Sequence, residues 1–77
     1  MIFLIDYDRT KGEVVHLKTF DDSNKAEAEN ARLEMELQLN HLGIEREVVL
    51  LSATSEVSLR RTHARYFENL SELVNAS

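Results

Sequence analysis

An α+β fold of order ββαβα is what this 77-residue sequence predicts. Three features carry that reading. Two strand-like runs flank a polar turn in the first twenty residues, a long stretch of helix formers ends at Gly43, and a short apolar run then precedes a second helical pattern. The expected sheet has three strands, antiparallel or mixed, in the order 2-1-3, with the long first helix packed on one face.

The hairpin comes first. Met1 to Tyr7 and Glu13 to Phe20 are rich in β-formers, and Asp8-Arg-Thr-Lys-Gly12 lies between them. A type I turn at Arg9 to Gly12, with Gly12 as the left-handed residue, closes the pair. In that register Arg9 faces Glu13, Tyr7 faces Val15, Asp6 faces His16 and Ile5 faces Leu17. Phe3, Ile5, Tyr7, Val15 and Leu17 then line one apolar face. The opposite face holds Ile2, Leu4, Asp6, Val14, His16, Lys18 and Phe20, more apolar than a solvated face requires.

Asp21 to Asn24 opens the helix. Ser23 or Asn24 is placed to cap it, and Asn24 and Glu27 have the spacing of a capping box. Lys25 to Leu42 is almost entirely Ala, Glu, Leu, Met, Gln and Arg, and Gly43 followed by Ile44 supplies the left-handed stop. At 100° per residue, Ala28, Ala31, Met35, Leu39 and Leu42 form one stripe, and Ala26, Leu33 and Leu37 fall nearly opposite. Lys25, Glu29, Arg32 and Glu36 occupy one flank, while Glu27, Glu34, Gln38 and His41 occupy the other. A helix on its own sheet needs one stripe, so the second calls for another helix, from this chain or a partner.

Glu45 to Ala53 is the third strand, with the apolar run Val48 to Leu51 suited to burial on both faces. Thr54 or Ser55 then caps a C-terminal helix carrying Val57, Leu59, His63, Tyr66, Phe67, Leu70, Leu73 and Val74 at helical spacing. That helix is either continuous or broken near 64–68 with a restart at Asn69, the broken form being preferred.

Composition narrows the function classes. The chain reads as a single small domain, 1–77, with 43% hydrophobic residues, too many for a disordered segment. No cysteine means no disulfide framework and no thiolate zinc site, which suits the cytoplasm. The longest apolar run at the start, Met1 to Ile5, is too short for a signal peptide or a membrane span. Neither glycine belongs to a phosphate-binding loop, the serines sit where caps are needed, and no catalytic or cofactor motif is present. The expectation is a protein that is not an enzyme and carries no cofactor or metal.

The histidines read structurally: His16 as a cross-strand partner of Asp6, His41 at the negative end of the first helix, His63 on an apolar stripe. The net charge of −5 arises wholly in residues 21–47, which hold eight acids against Lys25, Arg32 and Arg46. Against it stands a basic cluster, Arg60, Arg61 and Arg65, beside Tyr66 and Phe67. Two uses compete for these arginines. They pair with Glu34, Glu36 or Asp21 of a neighbour or solvate the helix, or together with Lys18 they bind nucleic acid, which the overall acidity disfavours.

The ββαβ order is shared by several small modules and by itself assigns no activity. A chain of this size without staples has a small stability margin, and oligomerisation is the remaining common addition. We therefore expect a self-associating protein-interaction module, a dimer by preference, with Ala26, Leu33, Leu37, Ile2, Leu4 and Phe20 as interface candidates. A nucleic-acid-binding regulator using Arg60, Arg61 and Arg65 is the alternative.

Overall fold

The computed structural model describes residues 1–67. Strands β1 (Ile2–Asp8) and β2 (Glu13–Phe20) form the hairpin, followed by a 3-10 turn at Asp22–Asn24, helix α1 (Lys25–His41), strand β3 (Glu47–Ser52), helix α2 (Glu56–Thr62) and a 3-10 turn at Ala64–Tyr66. The sheet order is β2-β1-β3, with β1 antiparallel to both neighbours. The element order and sheet topology are those the sequence predicts. The restart at Asn69 and the helical positions Leu70, Leu73 and Val74 lie outside the described residues.

The central strand is buried because both of its faces are covered. Ile2 and Leu4 pack with Phe20 and Ala28 beneath α1, joined by Ala31, Met35, Val48 and Leu50. The small Ala28 and Ala31 let the helix sit close to the sheet. On the other side Phe3 and Ile5 pack with Leu59 and Tyr66, joined by Tyr7, Val14, Leu17, Val49, Leu51 and Phe67. Each fully buried Phe3, Leu4 or Ile5 contributes on the order of 2 kcal/mol by transfer from water. The sheet is thus the middle of three layers.

That arrangement corrects one expectation. The sequence points to the face carrying Ile2, Leu4 and Phe20 as an interface, yet it is the face α1 covers. The C-terminal segment covers the more apolar face, so the chain buries both with its own elements.

The hairpin register also differs near the turn. Ile5 faces Leu17 and Asp6 faces His16 as expected, but Tyr7 faces Val14 and Asp8 faces Glu13. The reason is Asp8, whose Oδ1 accepts from the Thr10 and Lys11 backbone N–H groups at 2.9 and 3.1 Å. Its carbonyl accepts from Gly12 at 2.8 Å, with Gly12 at φ +68° as the turn requires. Closing the turn on Asp8 leaves one residue over on β2. A bulge absorbs it, so Val14 rather than Val15 joins the apolar face and Val15 is exposed.

At the start of α1 neither Ser23 nor Asn24 provides the expected side-chain cap. Asn24 sits at φ −104°, ψ 33°, outside the extended geometry of a capping residue, because its N–H closes the preceding 3-10 turn on the Asp21 carbonyl at 2.9 Å. The other end follows the sequence: Ile44 N–H donates to the Leu39 carbonyl, Gly43 N–H to Asn40, and Gly43 has φ +70°. Helix α1 stops at His41, so Leu42 leaves the buried stripe and is exposed. The third strand is shorter than the expected Glu45 to Ala53 and is confined to Glu47–Ser52.

The Ser55 hydroxyl caps α2 by accepting from the Ser58 N–H at 3.1 Å. The helix breaks at His63, φ −122° and ψ 45°, one residue before the expected region. The following 3-10 turn swings Tyr66 back onto the sheet.

Candidate functional site

Three places on the chain gather polar or exposed apolar groups. The first is Asp6, at the centre of the sheet on the α1 side and only 2% exposed. His16 Nδ1 lies 3.1 Å from its Oδ2, as the cross-strand register predicts. Arg46, which sequence reasoning missed, donates from Nη1 to the same oxygen at 3.0 Å. Nothing in the sequence spacing connects Arg46 with the other two. Arg46 precedes β3, and only the pairing of β3 with β1 brings it alongside Asp6. Asp6 Oδ1 is buried without a hydrogen-bond partner among the described residues. Chemically the cluster is a neutralised carboxylate that ties the segment before β3 to the sheet.

The second place is Glu47, which faces Tyr7 across β3 and β1 on the opposite side of the sheet. Arg9 donates to its Oε1 at 3.1 Å, Arg65 to its Oε2 at 3.0 Å, and the Tyr66 hydroxyl also donates to Oε2. The Arg65 guanidinium covers the Tyr66 ring at 4.3 Å, and Tyr7 meets that ring edge-on at 5.1 Å. The Tyr66 hydrogen bond, aided by Arg9 and Arg65, holds the Glu47 carboxyl below the usual range against the opposing effect of burial. Burial, reinforced by the Glu47 carboxylate, pushes the Tyr66 phenol up.

This geometry decides what the basic cluster faces. Arg60 pairs with Glu56 at 3.0 Å and lies over Phe67, and Arg65 is committed to Glu47. Within the chain their partners are therefore Glu56 and Glu47. Arg61 is exposed and makes no ion pair among the described residues. Tyr66 is buried and Phe67 half-buried against the sheet, so neither presents an open ring for stacking. Lys18 stands over its own neighbour Phe20 at 5.1 Å.

The third place is the surface itself. Leu33 and Leu37 are 52% and 59% exposed on the outward side of α1, with Ala26 exposed on the same stripe. No described element covers them. Ile2, Leu4 and Phe20 are buried, for the reason given above. Among the described residues His41 is exposed in the last turn of α1, and His63 is half-buried where α2 ends.

No three His, Asp or Glu side chains gather as a metal site among the described residues. No helix among them is long and apolar enough to cross a membrane. Comparison of the chain with protein-family models, with curated proteins and with solved structures returned no match.

Proposed function

We propose that the chain is a non-enzymatic protein-interaction module that works as a homo-oligomer, a dimer by preference, in the cytoplasm. The observation that carries this reading is the outward stripe of α1. Large apolar side chains at Leu33 and Leu37 stand more than half exposed on a long helix whose other side already packs on the sheet. Solvating two leucines on one helix face forgoes stabilisation that contact with a second surface would recover. The small size and the absence of cysteine support the same reading, since association adds the burial that a chain this short lacks.

Light scattering after size exclusion tests it. We expect the mass of two chains at micromolar concentration, and Leu33→Glu to shift the mass toward one chain while the circular dichroism is kept. A wild-type monomer that persists to high micromolar concentration overturns the proposal.

A further inference from the structure

We propose that two copies join through the edge of β3 that no described strand pairs with, forming a continuous six-stranded sheet with the two α1 helices side by side and antiparallel above it. The inference rests on the self-association proposed above, names a second copy as the partner, and places the centre of the contact at the β3 edge and the adjoining flank of α1, which Leu33 borders one turn from both Glu29 and Glu36.

The two sheet edges are not equivalent. The β2 edge is interrupted by the bulge at Val15 and carries exposed His16 and Lys18, features that discourage strand addition. The β3 edge has none of these. Its register with β1 is unbroken from Glu47 to Ser52, it contains no Gly, Pro or Lys, and Val48, Val49, Leu50 and Leu51 are all only half-buried. Such a strand presents a straight row of backbone groups flanked by apolar side chains.

The flank of α1 above this edge says what fits it. Lys25, Glu29 and Arg32 border one groove together with Leu50 and Ser52, and Glu36 borders the next together with Val48 and Arg46. Helix α1 therefore runs antiparallel to β3, and its charges alternate along the edge as plus, minus, plus, minus. Read backwards, that order is minus, plus, minus, plus. A two-fold axis perpendicular to the sheet reverses it in this way. Lys25 then stands opposite the partner's Glu36, and Glu29 opposite the partner's Arg32. The existing Arg32–Glu36 contact within the chain, at 4.0 Å and half exposed, is weak enough to yield.

The strand agrees with the helix. Antiparallel pairing about such an axis keeps each face continuous only when the axis passes a residue, not a peptide between residues. An axis at Leu50 sets Leu50 against its own copy, Val49 against Leu51 and Val48 against Ser52. Leu50 lines the same groove as Glu29 and Arg32, the middle two of the four charges, so one axis satisfies both elements. A partner with a different helix flank would lack this complementarity, which is why the occupant is a second copy.

Charge swapping in the full-length chain tests the geometry. Lys25→Glu with Arg32→Glu makes one flank wholly acidic, and Glu29→Lys with Glu36→Lys makes it wholly basic. All four positions are exposed, and circular dichroism checks that each variant keeps the fold. We expect each variant alone to dimerise about a hundredfold more weakly than wild type, and the equimolar mixture to recover a heterodimer. Wild-type-like dimers of both single variants, or failure of the mixture to pair, overturn the β3 geometry while leaving self-association standing. A monomeric wild type overturns both.

Discussion

The Tyr66 hydroxyl donates to a Glu47 carboxylate oxygen, joining the last described turn of the chain to the edge strand 19 positions earlier. Around that bond Arg9 and Arg65 flank the carboxylate, and Tyr7 supports the Tyr66 ring from the side. One hydrogen bond therefore fastens the C-terminal cover to β3 and, through Arg9, to the hairpin turn.

Tyr66→Phe removes that bond while keeping the ring, and is expected to cost about 1–2 kcal/mol in urea unfolding. The loss depends on pH at both ends. Glu47 has a depressed folded pKa, so its contribution is complete above the ordinary carboxylate range and is lost as pH falls through the lowered value. Tyr66 has a raised folded pKa, so its contribution is complete below the ordinary phenol value and is lost as pH rises through the higher one. The stability difference between wild type and Tyr66→Phe should be greatest on the plateau between and narrow toward both extremes.

Arg46→Ala leaves the buried Asp6 carboxylate with His16 alone and is expected to destabilise by about 3 kcal/mol. Asp6→Asn should cost less, because Arg46 is partly exposed and its charge keeps access to water. Urea midpoints of the two variants give the order directly.

Leu59→Ala opens a cavity between α2 and the sheet, where the side chain is fully buried against Phe3 and Ile5. A loss of about 3 kcal/mol is expected. Because Leu59 and Tyr66 hold the same cover, Leu59→Ala combined with Tyr66→Phe should depart from additivity. A double-mutant cycle measures the departure.

Gly43→Ala should destabilise by about 1 kcal/mol in thermal or urea unfolding. An added Cβ meets nothing within 4 Å, so the whole cost comes from holding an L-residue at φ +70°. Gly43→Asn should cost less, since asparagine tolerates that conformation better.

The sheet order was legible because the apolar content of β1 marks it as the central strand, and the strands, the long helix and its glycine stop because each depends on local signals. These are β-branched runs, a helix-forming composition, left-handed glycines and a hairpin short enough to pair with itself. Less of the candidate site could be read. Asp6 with His16 followed from the hairpin, but Arg46, Glu47 and Tyr66 meet only across β1 and β3, where spacing in sequence carries no record of contact.

The sequence by itself determined that two faces of the sheet and two stripes of the first helix are apolar. Tertiary structure decided which of them the chain satisfies. Helix α1 took the mixed face because its alanines approach the sheet there over Ile2 and Leu4, and the break at His63 let Tyr66 close the other face. Both faces of the sheet are thereby covered from within, and among the described residues what stays open is the outward stripe of α1 with Leu33 and Leu37 and the edge of β3. Periodicity marks a face as apolar whatever covers it, whereas the covering depends on where distant elements pack.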